Sequence, residues 1–327
     1  MRTLLILFFL FYFYLNAYPQ VISTSPQEIN VGPISFNSTI IKNNKIKKMD
    51  IIMVDKPDGK VIVDKGAGQG YEFDAEGRIS KYYYTVLIKT ELEEIDVPEI
   101  KRKGKIIRPA TTKTVMKYIN DTVSATILYD KENRIGCKRL KSGDFYNAYY
   151  YEYDSKGRII KELHCKETNI SEHPKHFKLG VQTTLSSETF EYTEFSTTQV
   201  KKRCLNDEGR EYKNCILNYD KNGNLISETV NYIVSWMRQE TIYDYDAQNR
   251  LISKNYSGNV NGNEKAETIY EYDSKGLVLS EKWFLNNELR NEISYLFDEN
   301  NILVKSHLNR DHKNASIGIV KYAYSFY

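Results

Sequence analysis

A short motif recurs through this chain and restricts the folds that it can adopt. The motif is an aromatic residue, then Asp, two variable residues, and then Gly or Asn. Its seven aromatic residues are Phe73, Tyr129, Tyr153, Tyr219, Tyr245, Tyr272 and Phe297. The Asp residues that follow them are Asp74, Asp130, Asp154, Asp220, Asp246, Asp273 and Asp298. The closing Gly or Asn residues are Gly77, Asn133, Gly157, Gly223, Asn249, Gly276 and Asn301.

These residue types are typical of a tight chain reversal. A strand that reverses after two right-handed residues needs a left-handed residue to rejoin its partner, and Gly and Asn adopt that conformation with little strain. The leading Asp can accept hydrogen bonds from backbone N–H groups inside the turn. The motif therefore predicts seven turns, each with an Asp cap and a closing residue of positive φ.

The spacing of the motif predicts hairpins stacked side by side. Where the repeat is regular, successive copies lie about 24 to 27 residues apart, which is room for two strands and a second turn. Turn-forming sequences for the opposite edge occur between the copies, as in Leu205-Asn-Asp-Glu-Gly-Arg and Leu285-Asn-Asn-Glu-Leu-Arg. All seven motif turns are thus expected on one edge of an antiparallel sheet.

The motif resembles the YD repeats of the RHS family, over residues 71–327. The resemblance implies an exported or surface-associated protein; some RHS-like proteins are thought to bind carbohydrate, and large ones form hollow β shells around a toxin. This chain has about seven units and no recognisable self-cleaving Asp-Pro-x-Gly-type segment. We therefore expect a small YD-repeat protein without a toxin domain.

The expected fold is all-β: an antiparallel sheet of repeated hairpins, strongly twisted and either curled or closed to protect its edges. Three parts are expected along the chain: a signal peptide in residues 1–17, an N-terminal β segment in residues 18–70, and the repeat domain in residues 71–327. Within the repeats, the charged stretch 89–106 and the stretch 171–185 are expected to be irregular insertions.

The N-terminal segment predicts export. Arg2 precedes an apolar run from Leu4 to Leu15, and a small residue, Ala17, follows. That run is too short to span a bilayer and is typical of a cleaved signal peptide. We expect a secreted, periplasmic or surface-associated bacterial protein with no membrane span in its mature chain.

Four cysteines in an exported chain allow disulfides. Cys204 and Cys215 flank one far-edge turn and are the best candidate pair, although they are out of register by about three residues in an ideal hairpin. An intervening strand would separate Cys137 from Cys165. Ordinary buried thiols are the alternative for all four.

Chemical motifs are sparse. His164, Cys165, His173 and His176 form the one cluster of metal-ligand types, and without further ligands we interpret it as part of a solvated insertion. The formal net charge is +3 with both signs interspersed, which gives no sign of nucleic-acid binding. We expect neither a metal nor a cofactor.

Repetition also argues against catalysis. Asp and Arg recur at successive turns, as in Asp74 with Arg78, whereas a catalytic centre needs one asymmetric site. We expect the arginines to bridge neighbouring turns, and we expect no enzyme. The rival hypothesis is an enzyme of envelope polysaccharide that uses carboxylates or His164 and His176; a third is a structural spacer or shell-like protein.

Paired tyrosines are the remaining functional candidates. Each pair lies two residues apart, so its members share a sheet face, and stacked units align them as a ladder. The ladder consists of Tyr151, Tyr153, Tyr243, Tyr245, Tyr270 and Tyr272. It is either the core of a curled sheet, which we favour, or an exposed binding face. The leading hypothesis is a non-catalytic exported protein that binds glycan or an envelope protein through a sheet face.

Overall fold

The structure is a computed structural model that describes residues 20–102, 105–173, 176–260, 262–300 and 302–327. The expected signal peptide, residues 1–17, lies outside the described residues, and so does Asn301 in the last repeat turn. Strands dominate the described chain, with one short helix, α1, at Ser38–Asn43.

The strands follow in chain order. They are β1 Ile22–Ser23, β2 Ser35–Phe36, β3 Ile46–Pro57, β4 Val63–Phe73, β5 Ile79–Val97, β6 Ile100–Arg102, β7 Lys105–Arg108, β8 Thr111–Tyr129, β9 Ile135–Ser142, β10 Phe145–Tyr153, β11 Ile159–Asn169, β12 Leu179–Glu194, β13 Gln199–Leu205, β14 Glu211–Tyr219, β15 Leu225–Tyr232, β16 Arg238–Tyr245, β17 Leu251–Gly258, β18 Glu264–Tyr272, β19 Val278–Leu285, β20 Glu288–Phe297, β21 Val304–Asp311 and β22 Ser316–Phe326.

Eighteen of these strands form one closed antiparallel barrel. Each barrel strand pairs with its neighbours in the chain, and the last strand, β22, closes the ring against β3 from Ser316 opposite Pro57 to Phe326 opposite Ile46. The all-β antiparallel hairpin fold expected from the repeats is confirmed, and of the two expected forms the sheet adopts the closed one. Closure gives every strand of the ring a partner on both sides.

The repeat turns have the backbone that the motif predicts. The closing residues that the structure describes have left-handed φ angles: Gly77 78°, Asn133 65°, Gly157 80°, Gly223 85°, Asn249 61° and Gly276 88°. In the first turn, the Gly77 N–H donates to the Asp74 carbonyl at 2.9 Å, and the Asp74 N–H donates to the Arg78 carbonyl at 2.9 Å. This is a type I turn followed by a left-handed residue, a common hairpin connection.

The Asp side chain holds the turn from inside. Asp154 Oδ1 accepts from the Lys156 and Arg158 N–H groups, each at 2.9 Å, and Oδ2 accepts from Arg158 Nε at 2.7 Å. The same pattern recurs in the turns of Asp74, Asp130 and Asp246. Each of these arginines pairs first with the Asp of its own turn, four residues earlier. Two of them also reach the next turn, as expected: Arg78 Nη1 donates to Asn133 Oδ1 at 2.5 Å, and Arg158 Nη1 to Glu194 Oε1 at 3.0 Å.

Neighbouring units are also joined by tyrosines. The hydroxyl of a motif tyrosine donates to the carbonyl of the first strand residue after an earlier turn, as Tyr245 does to Leu225 at 3.0 Å and Tyr272 to Leu251 at 2.7 Å. The same bond is made by Tyr129, Tyr153, Tyr192 and Tyr324. Turn arginines stack on these rings, with Arg250 at 4.6 Å from the Tyr272 centroid. The units of these six tyrosines are thus joined by one hydrogen bond and, at four turns, by a cation–π contact as well.

The N-terminal segment, residues 20–44, lies inside the ring and is not part of the barrel sheet; within it β1 and β2 pair as a separate two-stranded sheet. The side chain of Gln20 accepts from the Val278 N–H at 2.8 Å, and the Val21 N–H donates to the Ile302 carbonyl at 3.2 Å. Val21, Ile22 and Ile41 are buried in the core cluster with residues of β3, β4, β21 and β22. One side of the lumen is therefore filled by this segment.

Residues 89–106, expected as an irregular insertion, are mostly extended strand. β5 and β8 pair from Lys81 opposite Thr126 to Val97 opposite Thr111, and β6 pairs with β7 beyond them. From about Val86 outward both faces of this ribbon are largely exposed. Alternating β-branched and charged residues permit a solvated ribbon, so the density of charge was a poor indicator of a loop.

The second insertion is shorter than expected. β12 begins at Leu179, so the irregular part of 171–185 ends there, and the loop between β11 and β12 returns over the wall of the barrel. Phe177 of this loop packs on the Tyr146 ring at 5.0 Å and on the Arg139 guanidinium at 3.9 Å.

Gly223 offers a direct test of the left-handed turn. A Cβ at this position would meet no atom within 4 Å, so only the backbone strain of φ 85° opposes a side chain. We expect Gly223→Ala to lower the free energy of unfolding by about 1–2 kcal/mol. Gly318→Ala is the control, because its Cβ would make ordinary contacts at 3.7 Å. Urea denaturation measures both, and an equal effect of the two variants would contradict the turn assignment.

Tyr245 tests the bond between units. Tyr245→Phe removes the donor to the Leu225 carbonyl and leaves that acceptor without this bond. We therefore expect the free energy of unfolding to fall by about 1 kcal/mol. Tyr118→Phe on the projecting ribbon is the control, and it should change the unfolding free energy little. Equal stability of wild type and Tyr245→Phe would show that the hydroxyl does not join the units.

Candidate functional site

The other side of the lumen is hollow. A cavity of about 1110 Å³ lies between the inward faces of β11 to β17 and the N-terminal stretch Gln20–Glu28. Because side chains alternate along a strand, residues two apart can reach it together, as Lys202 and Cys204 do on β13. The repeat geometry thus positions side chains from seven consecutive strands, β11 to β17, around a single space.

The tyrosine ladder belongs to the inward face. Tyr243 and Tyr245 line the cavity, and Tyr151 lines a second cavity of about 280 Å³ beside it. Burial raises the pKa of Tyr153 and of Tyr243 to about 12. Burial likewise raises the pKa of Tyr270 well above its ordinary value. The Tyr272 hydroxyl donates to the Leu251 carbonyl in the barrel wall. Of the two expected positions for the ladder, core or exposed face, the rings occupy the interior.

Charges of both signs line the cavity. The acidic residues are Glu28, Glu162, Glu188 and Glu228, and the basic residues are Arg158, Lys202, Lys213 and Arg250. Lys202 bonds Glu28 at 2.9 Å and lies 4.3 Å from the Phe190 ring centroid. Burial lowers the pKa of Lys202, but Glu28 and Tyr192 outweigh it and raise this pKa above its ordinary value. Lys202 therefore attaches the N-terminal segment to the wall as a full cation.

Two glutamates stand side by side on the cavity wall. Glu162 of β11 and Glu188 of β12 are direct cross-strand partners, an arrangement that places Cβ atoms roughly 4.5–5.5 Å apart. Tyr212 donates to Glu188 Oε2 at 2.5 Å. Burial, and then the Glu188 charge, raise the pKa of Glu162. The sequence analysis did not single out this pair. It could have been found by asking which charged residues lie on the same sheet face as the paired tyrosines, because that face is the inward one.

The cysteines are free thiols in the structure, and all four are buried. Of the two expected states of Cys204 and Cys215, a disulfide or buried thiols, the structure has the buried thiols, and the sheet register shows how they are placed. Cys204 lies opposite Lys213, and Cys215 lies opposite Lys202, so the two cysteines are diagonal rather than facing. β10 separates Cys137 on β9 from Cys165 on β11, as expected.

The histidines of the expected cluster are dispersed. His164 stacks on the Tyr149 ring, with centroids 4.3 Å apart, while the rings of His173 and His176 lie 4.8 Å from one another in the β11–β12 loop. Within the described ranges, no three His, Cys, Asp or Glu side chains are grouped as metal ligands. The described part of the chain also contains no helix of the length and apolarity needed to cross a membrane.

Comparisons with known proteins give only weak structural likenesses. No family model and no curated protein matches the sequence. Porin-like proteins from Bacteroides uniformis and Bacteroides vulgatus are similar at 10% and 9% identity, with TM-scores of 0.37 and 0.32; each match covers 86% of this chain and 98% of the other. The Photorhabdus luminescens Tc holotoxin pore is similar at 9% identity and a TM-score of 0.20, over 80% of this chain and 21% of that one. Similarity this low identifies neither a family nor a function.

The glutamate pair makes a pH-dependent prediction. Because the folded state raises the pKa of Glu162, folding favours the protonated acid, and stability decreases as pH rises from the unfolded pKa through the folded pKa. Glu162→Gln should therefore gain stability relative to wild type at pH 7 and lose that gain near pH 4. Thermal unfolding at the two pH values measures this, with Glu152→Gln on β10 as the control. A difference in stability between Glu162→Gln and wild type that is the same at both pH values would contradict the prediction.

Proposed function

We propose that this protein is a non-catalytic exported binding protein of the RHS type, and that it holds a polar ligand such as an oligosaccharide inside its barrel. The observation that carries the proposal is the cavity of about 1110 Å³ lined by tyrosines and by charges of both signs. The ligand meets the inner face of the sheet, since the tyrosine ladder lies there.

The lining favours a ligand that is polar but not strongly charged. Four acidic and four basic side chains around one space present no single-sign field to attract a polyanion or a polycation. Tyrosines such as Tyr243 offer an apolar ring with a polar tip, and the charged groups around them can accept and donate hydrogen bonds. A sugar combines many hydroxyls with apolar ring faces and suits both features.

Binding and its location can be tested together on β15. Val230 lines the cavity, whereas its neighbour Thr229 belongs to the opposite face of the same strand. We expect purified protein to bind members of an oligosaccharide array. Val230→Trp should weaken that binding at least about tenfold by filling the cavity, and Thr229→Trp should leave it unchanged. Calorimetry with the best oligosaccharide measures both; an array without binding, or equal loss in both variants, would contradict the proposal.

Hydrolysis of a polysaccharide is the second candidate, favoured by the Glu162–Glu188 pair. Retaining glycosidases place two carboxyl groups about 5–5.5 Å apart, one a protonated acid and the other a nucleophile. Glu162, with its raised pKa, would be the acid, and Glu188 the nucleophile held by Tyr212.

The two candidates differ in a simple assay. If the pair is catalytic, wild-type protein releases new reducing ends from a polysaccharide that it binds, and Glu188→Gln abolishes the release while retaining binding. Glu228→Gln on β15, also in the cavity wall, is the control. Binding without any release by wild type would support the non-catalytic function.

A further inference from the structure

Cys204 and Cys215 form a compact patch with two lysines on the cavity wall. The strand register opposes Cys204 to Lys213 and Lys202 to Cys215, so the cysteines occupy one diagonal of a four-residue square and the lysines the other. All four side chains line the large cavity. The thiols are 1% and 6% exposed, so the cavity is their access to solvent.

The diagonal placement suits a labile bond better than a structural one. Diagonal cross-strand residues lie about 7–8 Å apart at Cα, at or beyond the usual limit of about 6.8 Å for a disulfide. A disulfide between them would be strained, and strained disulfides are the easily reduced, reactive ones. The pair is therefore placed to exchange between dithiol and disulfide rather than to staple the fold.

We propose that Cys204 and Cys215 are a redox-active dithiol that undergoes thiol–disulfide exchange with small disulfides admitted to the cavity. Cys204 is the attacking thiolate and Cys215 the resolving thiol. This activity does not depend on sugar binding, although both use the same space.

The exchange balances as two displacements. The Cys204 thiolate attacks one sulfur of a small disulfide RSSR, the S–S bond breaks, and RS⁻ leaves, taking the proton of Cys215. The Cys215 thiolate then attacks the Cys204 sulfur of the mixed disulfide and expels the second RS⁻, which is protonated by water. In total the dithiol is oxidised to a Cys204–Cys215 disulfide and RSSR is reduced to two RSH molecules.

The surroundings separate the roles of the two sulfurs. The hydrogen bond from the Cys215 thiol lowers the pKa of Cys204 to about 7; burial opposes this, and the charges of Lys213 and Lys202 assist it. The same hydrogen bond and burial raise the pKa of Cys215 well above its ordinary value. A thiolate beside cations is the reactive form of cysteine. Glu188 faces the pair from β12 and Glu228 from β15, and both oppose ionisation of a thiol.

The test uses the full-length reduced protein and oxidised glutathione at pH 7, with cysteine mapping by mass spectrometry after acid quenching. We expect a Cys204–Cys215 linkage within one chain while Cys137 and Cys165 stay reduced. Before oxidation, iodoacetamide should modify Cys204 at least about tenfold faster than Cys137, whose pKa burial raises to about 11. Cys137 and Cys165 serve as matched buried controls in the same molecule.

Variants assign the two roles. Cys215→Ser keeps a hydroxyl near Cys204 and should accumulate the Cys204–glutathione mixed disulfide, whereas Cys204→Ser should accumulate none at Cys215. Equal alkylation rates at Cys204, Cys137 and Cys165 in the folded wild-type protein would overturn the proposal. Oxidation that links only separate chains would overturn it as well, and neither result depends on a variant that folds.

Discussion

The structure depends on the turn in which an Asp carboxylate satisfies two backbone N–H groups and a left-handed Gly or Asn completes the reversal. Each turn has nearly the same length and geometry, because the Asp fixes its start and the positive φ fixes its end. Uniform turns set a uniform register, so the motif tyrosine of one unit meets the carbonyl after an earlier turn. Repeated around the ring, this register brings β22 to β3, and closure turns a sheet face into the wall of a chamber.

Closure also decides where function can reside. The tyrosines and the charges of β11 to β17 would have been one face of an open sheet, but in the ring they converge on one cavity. Residues 20–44 fill the other side of the lumen, and Lys202 bonds Glu28 of that segment. A repeated, symmetric wall thus acquires an asymmetric interior, because the units differ in inward residues such as Glu162, Cys204 and Val230. Such asymmetry is what a specific site requires.

Local features of the fold were predictable from sequence, and long-range ones were not. Gly223 and Asn249 reveal their backbone conformation by residue type alone, so the turns and the hairpin class follow from the motif. Arg158 makes both a bond to Asp154 within its turn and a bridge to Glu194 at the next turn; only the bridge was expected, because the spacing of Asp and Arg permits either. Tyr192 joins units as the motif tyrosines do, yet no Asp follows it, so it could not be recognised. The cavity depends on ring closure, which residue patterns leave open; the Glu162–Glu188 and Cys204–Cys215 arrangements therefore could not be placed in advance.

The central claim is that β3 and β22 close the ring, since an open sheet would have no chamber. Native-state hydrogen exchange followed by mass spectrometry measures it directly. If the ring is closed, the amides of Ile46–Pro57 and Ser316–Phe326 are protected as strongly as those of Leu251–Gly258 in the interior of the sheet. Fast exchange in both terminal strands, at the rate of free sheet edges, would contradict closure and the enclosed site with it.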